Sequence, residues 1–299
     1  MRVITAIGLL AVFFQAPAPN PASPAPFDIY LVPIANGLAS LKSAKPQPVS
    51  TAPGYDNQPM FTADGARVLF AANRDGQQTD VYEFTRATGR VRQLTTTPTN
   101  ENSPTPMPNG AGFSVVMSEM DKTQRLWKFD TDGQHPQLLL ADVKPVGYHA
   151  WGDADRVVLF VLGPPATLQI ASLKSGKAER LATDIGRSLH RIPKTSLASF
   201  VQHESSGEYW VKQIDVTTKK IDPIAKAVEG SSDRDMAWMP DGKTMVMSSG
   251  TKIYALTRGG SGAWTEVFDA ASSGLGAVTR LAVSPSGDAL AFVVAEPTK

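Results

Sequence analysis

The chain has 299 residues, 42% of them hydrophobic and 19% charged, enough to build one large β-domain or two average domains around a sizeable core. Lysine and arginine number 29 against 28 acidic residues, and a net charge of +1 gives no general attraction to nucleic acid or to an anionic membrane. The absence of cysteine excludes disulfides, thiolate metal sites and a cysteine nucleophile.

The first element is a leader. Arg2 is followed by an uncharged, mostly apolar run from Val3 to Phe14, too short to span a bilayer, and then by the small-x-small sequence Ala16-Pro17-Ala18. This predicts a signal peptide over residues 1–18; the alternative is a buried N-terminal strand or helix. No cysteine follows the run, so a lipoprotein anchor is excluded. Residues 19–26 form a Pro-rich spacer that cannot pack a core. Export to the periplasm or the medium is expected, with no transmembrane span.

"FDIYLVPI", Phe27 to Ile34, reads as a strand without a neighbouring partner. Beyond it the chain repeats. Copies begin at Asp56, Glu101, Val146, Arg187, Asp233 and Val278, at intervals of 45, 45, 41, 46 and 45 residues. Each copy has a polar lead, an apolar strand, a turn and a second strand. Asp64-Gly65, Asn109-Gly110, Asp241-Gly242 and Ser286-Gly287 are the hairpin turns of four copies, with Gly where a tight turn wants positive φ. A third strand follows ("DVYEF", "RLWKF", "KIYAL"), then a poorer fourth ("RVRQLT", "HPQLLL", "WTEVF"). Outside the leader no stretch has a convincing helical period. Four antiparallel strands per repeat, six times over, predict an all-β fold, a six-bladed β-propeller over residues 27–299. The last copy stops after two strands. "FDIYLV" matches the missing third strand and "KPQPVST", Lys45 to Thr51, the fourth, so the last blade is expected to be closed by the N-terminal strands, covering exposed edges.

The unit from Asn57 to Thr95 resembles the WD40-like repeat of TolB-type propellers. Trp238-Met239-Pro240-Asp241-Gly242, Ser284-Pro285-Ser286-Gly287, Thr88-Gly89 and Arg92-Gln93-Leu94-Thr95 carry the resemblance, which covers Phe27 to Lys299. Copies three and four lack the Pro-Asp-Gly turn. The resemblance implies a propeller and is uninformative about function, since such repeats occur in scaffold proteins, in sensor domains and beside peptidase domains. TolB itself carries an additional α/β domain before its propeller, so this chain looks like a stand-alone propeller.

In a propeller the innermost strand of each blade starts at a mouth of the central channel. The residues leading into it predict a polar ring for binding: Asp56, Asn57, Glu101, Asn102, Tyr148, Arg187, Asp233, Arg234, Asp235 and Arg280. The alternative is loop polarity from solvation alone. His149 and His190 stand in the column where copies one and two have Pro59 and Pro104. They could share a metal with a carboxylate, or simply hydrogen-bond within degenerate blades. No catalytic motif or phosphate loop is present. Trp127, Trp151, Trp238 and Tyr254 read as packing between blades, while Trp210 and Trp264 are candidates for exposed contacts.

These features predict a monomeric, non-catalytic scaffold binding an envelope protein or a small polar ligand, without a cofactor, although the acidic rim suits calcium or magnesium. The competing reading is a metal-dependent hydrolase or lyase at the channel mouth. A structural envelope protein acting through its outer strands is a third.

Overall fold

The computed structural model describes residues 26–108, 110–231 and 235–295. The expected leader and all but Pro26 of the spacer lie outside the described residues, as do Asp233, Arg234 and residues 296–299.

In chain order the strands are β1 (Phe27–Pro33), β2 (Gln47–Pro48), β3 (Tyr55–Phe61), β4 (Arg67–Asn73), β5 (Asp80–Thr85), β6 (Arg90–Gln93), β7 (Asn100–Pro106), β8 (Phe113–Ser118), β9 (Gln124–Phe129), β10 (Gln137–Leu138), β11 (Val146–Trp151) and β12 (Arg156–Val161). They continue with β13 (Thr167–Ser172), β14 (Ala178–Thr183), β15 (His190–Arg191), β16 (Leu197–His203), β17 (Tyr209–Asp215), β18 (Ile221–Lys226), β19 (Met236–Trp238), β20 (Thr244–Ser249), β21 (Lys252–Thr257), β22 (Thr265–Asp269), β23 (Val278–Val283) and β24 (Ala289–Ala295). Two 3-10 turns, Leu38–Ser43 and Ala270–Ser273, complete the regular structure of the described residues.

Four antiparallel blades follow the repeat: β7 to β10, β11 to β14, β15 to β18 and β19 to β22. The expectation of six separate blades is corrected. The remaining strands form one continuous eight-stranded sheet, in which β23, β24, β1 and β2 join β3 to β6. The junction is a single parallel pair, Phe27 against Tyr55, where the Phe27 N–H donates to the Gly54 carbonyl at 3.2 Å. Two strand starts therefore share hydrogen bonds where the repeat pattern implied a break. The fold is all-β and propeller-like, with four free-standing blades. β1 does pair with β24, antiparallel from Phe27 opposite Ala295 to Pro33 opposite Ala289, and β2 pairs with β1.

Local chemistry explains the hairpins. Asp241 Oδ1 accepts the N–H groups of Lys243 and Thr244 at 2.7 and 2.8 Å, and Gly242 takes φ +67 behind it. A Cβ on Gly242 would also meet the Pro193 carbonyl at 2.3 Å, so this turn packs on the preceding blade in a way only glycine permits. The two copies without the motif find substitutes. Asp153 accepts from Asp155 and Arg156 N–H groups at 2.8 and 2.7 Å, and Lys194 itself adopts φ +63.

Alternating residues in each middle strand face opposite neighbours. Val81, Phe113, Val115 and Phe129 form one cluster between neighbouring repeats; Leu126, Val146, Val157 and Leu159 form the next. The series ends where Ile29, Ala291 and Val293 meet Val68, Phe70 and Ala72, so the eight-stranded sheet folds back until its two halves pack face to face. The indole N–H of Trp151 donates to Ser114 Oγ at 2.9 Å, and that of Trp238 to Ser199 Oγ at 2.8 Å, each reaching the preceding blade. Both rings are buried, as expected of packing residues with a satisfied polar handle. Trp210 stacks under Lys226 Nζ at 5.7 Å, and Trp264 donates to the Lys226 carbonyl at 2.9 Å.

A candidate binding channel

The inner strands β3, β7, β11, β15, β19 and β23 converge on one axis. A chamber of about 470 Å³ runs along it, lined from every repeat by residues such as Phe61, Pro106, Trp151, Pro193, Trp238 and Pro285. A smaller void of about 70 Å³ adjoins it, sharing Met60, Thr105, His149, Leu189 and His190 with the chamber wall. The smaller void is polar: Gln58, Ser103, Tyr148, Arg187, Asp235 and Arg280 border it.

Backbone irregularity creates this polar level. The pairing register slips between Asn57 and Met60, Asn102 and Thr105, Val146 and Tyr148, and Thr279 and Leu281. At three of these bulges the residue bordering the void has positive φ: Gln58 +58, Ser103 +54 and Arg280 +49. None is glycine, so the surrounding packing must hold each strained residue in place. A bulge bends the strand and re-aims its side chain. Here the re-aimed groups bind one another: Gln58 Oε1 accepts the Ser103 N–H at 2.6 Å.

The central knot is ionic. Asp235 accepts from Arg187 Nη2 at 3.0 Å and from Arg280 Nη1 at 2.9 Å. Arg280 also donates to Tyr148 Oη at 2.7 Å and lies 4.9 Å from that ring's centre. Since β23 and β11 are on opposite sides of the ring, this side chain spans the channel. Burial alone would raise the Asp235 pKa; the guanidinium groups of Arg280 and Arg187 outweigh it and hold the carboxyl below its usual range. Tyr55, near the same cations, is pushed up to about 12 by burial.

The other expected ring residues are placed differently. Asp56 is buried against Arg74, with N···O 2.5 Å, and burial lifts it to about 6. Asn57 Oδ1 accepts from the Gln58 N–H at 2.8 Å, and Asn102 Oδ1 accepts from Thr79 Oγ1 at 3.3 Å. Glu101 is fully buried among threonines, accepting from Thr95 Oγ1 at 2.9 Å and from Thr97 Oγ1. None of these four residues lines either cavity. Of the predicted ring, the structure brings together Tyr148, His149, Arg187, His190, Asp235 and Arg280. Both histidines border the void, bonded to serines: His149 Nε2 lies 2.6 Å from Ser114 Oγ, and His190 Nε2 3.0 Å from Ser188 Oγ. Burial depresses them to about 3 and about 4 respectively, so both are neutral at pH 7. Among the described residues no group of three or more His, Asp or Glu side chains is placed to hold a metal. Gln58 and Ser103, which the repeat spacing aligns in one column with Tyr148, Asp235 and Arg280, border the void with them.

Glu101 gives a stability prediction. Burial, aided by the charge of Asp80, lifts its pKa from the ordinary 4.5 to about 8. The folded state thus favours the protonated carboxyl. That stabilisation is complete below about pH 4.5 and is lost as pH rises toward 8. Glu101→Gln removes the titration, and its advantage over wild type should grow from pH 5 to pH 8.5, reaching roughly 2 kcal/mol or more. Thermal melts at the two pH values check this; parallel losses of Tm in both proteins would contradict it.

Together the sheets and the axial channel define a β-propeller. Its fold is that of the TolB-type propellers. A TolB-type protein of Agrobacterium tumefaciens superposes with a TM-score of 0.71 at 17% identity, over 92% of this chain and 99% of that one. TolB from Acinetobacter baumannii gives 0.58 at 13% identity, over 93% of this chain, which spans 65% of that larger protein. An oligogalacturonate lyase from Vibrio parahaemolyticus gives 0.50 at 14% identity, over 80% and 89% of the two chains. At these identities the likeness is one of fold. No protein-family model and no curated protein matches the sequence. Among the described residues no helix is long and apolar enough to cross a membrane.

Proposed function

We propose that the protein is an exported, non-catalytic binding platform of the cell envelope that takes its protein or small-molecule ligand at the central channel. The observation that carries this reading is the convergence of fixed polar groups and an apolar chamber on one axis. The groups at the polar level are held by one another: Asp235 is committed to two arginines and Arg280 to Tyr148. Such a network presents a fixed, pre-organised surface, which lowers the ordering cost of binding. The composition of residues 1–18, Arg2 ahead of a short apolar run, supports export.

Two measurements test it. Mass spectrometry of the protein from fractionated cells is expected to find a processed N-terminus in the envelope or medium. Capture of ligands and partners by the mature protein should weaken at least about tenfold with Tyr148→Ala, which opens the network at the channel axis. An intact Met1 in the cytoplasm would refute export. Captured interactions indifferent to every channel substitution would refute the channel as the binding site.

A further inference from the structure

Three polar atoms around the small void are buried and find no hydrogen-bond partner in the chain: Ser103 Oγ, His149 Nδ1 and Arg280 Nε. All three residues border the same 70 Å³ space. Unsatisfied buried polar atoms are costly, and native folds rarely gather them at one point. Their chemistry agrees. The 2.6 Å separation of Ser114 Oγ and His149 Nε2 is short for an N–H donor and ordinary for an O–H donor. The hydroxyl therefore donates to Nε2 in preference to the more distant Thr105 carbonyl at 3.2 Å, and the indole of Trp151 donates to the same oxygen at 2.9 Å. In the neutral ring the remaining hydrogen is then on Nδ1. A ring N–H, a serine hydroxyl and a guanidinium N–H, all without a partner, thus belong to three residues that border one small space. Asp235, the one described carboxylate bordering it, has its oxygens engaged by Arg187 and Arg280.

Three donors, one of them cationic, suit a group that only accepts. A carboxylate has the lone pairs to take all three, and charge-assisted bonds of this kind are the stronger ones. The space behind the void selects the rest of the ligand. Its wall is largely apolar, no described acid lines it, and Arg191 and Lys194 stand on one side. A chamber of about 470 Å³ is in the range that encloses a small organic molecule.

We propose that the channel binds an apolar monocarboxylate head first, its carboxylate accepting from Ser103 Oγ, His149 Nδ1 and Arg280 Nε and its hydrocarbon body filling the chamber. This rests on the channel-binding reading and names the ligand class. Calorimetric titration of the mature protein with decanoate, decanol and decylammonium tests it. Decanoate should bind one to one, with decanol and decylammonium weaker by at least about tenfold. Acetate, which has the head without the body, should be weaker still. Ser103→Gly deletes the hydroxyl, suits the left-handed backbone and keeps the N–H to Gln58; it should weaken decanoate by at least about fivefold with an unchanged melting curve. Arg280→Gln should weaken it further, and if that variant does not fold, the head-group series and Ser103→Gly decide. Equal affinity for the three head groups, no binding of decanoate, or full affinity in folded Ser103→Gly would overturn the proposal. Partner capture that depends on Tyr148 without decanoate binding would overturn the ligand class alone and leave the binding platform standing.

Discussion

A chain lacking residues 27–51 is expected to be insoluble. β1 lies in register against β24 along its full seven residues, and the Ile34 N–H continues the contact to the Asp288 carbonyl at 2.8 Å. Its side chains serve both faces of the sheet. Ile29 packs toward Val68 and Phe70, while Val32 and Ile34 pack toward Val246, Ile253 and Phe268. Ile29 and Val32 are 1% and 0% exposed, so the deletion uncovers apolar surface on both sides and leaves β24 as a bare edge. At about 1.5–3 kcal/mol for each large buried side chain, the loss approaches the ~5–15 kcal/mol that stabilises a whole domain. A single substitution tests the same contact more gently. Val32→Asp buries a carboxylate without a partner and should cost more than about 4 kcal/mol in urea unfolding. A soluble truncation, or a Val32→Asp protein with the wild-type midpoint, would show that the N-terminal strand does not hold the ring together.

The second large effect is expected at Asp235. Replacing it by Asn leaves Arg187 and Arg280 without their shared carboxylate in a buried setting, and about 3–5 kcal/mol of stability should be lost. Tyr148→Phe removes one bond to a charged donor and should cost roughly 1.5–3 kcal/mol. In a double-mutant cycle, Asp235→Asn and Arg280→Met should couple by about 2 kcal/mol, because the two side chains touch. The pH dependence has a definite sign. The Asp235 pKa is lower in the folded protein than in the unfolded chain, so its contribution is present above about pH 4 and is lost only as pH falls through the lowered folded value. Between pH 5 and 8 this contribution should be flat, while that of Glu101 declines, and denaturant midpoints of the two variants separate them. Additive energies in the cycle would mean that the ion pair has no role in holding the network.

The local features were legible in the chain. Period-two apolar strands, aspartate and glycine turns and a 45-residue recurrence depend on neighbours within a few residues, and the strands from β3 to β24 lie where those patterns placed them. The closing pair of β1 with β24 was legible too, because the octamer carries the alternation of a third strand and the last copy lacks one. Other outcomes belong to the tertiary structure. Whether two strand starts share one hydrogen-bonded pair depends on where the ends of the chain meet, and Phe27 against Tyr55 fused what the repeat count kept apart. Which polar column faces the channel depends on a bulge. A residue count aligns Asp56 with Glu101, but the direction of each side chain is set by the slipped register and the left-handed residue that follows. Asp56 therefore turns to Arg74 and Glu101 to threonines, while Ser103 and Arg280 reach the axis. Arg280 meets Asp235 45 residues away and Tyr148 132 residues away. Those partners exist only once the ring has closed, because no local interaction brings opposite inner strands within hydrogen-bond reach.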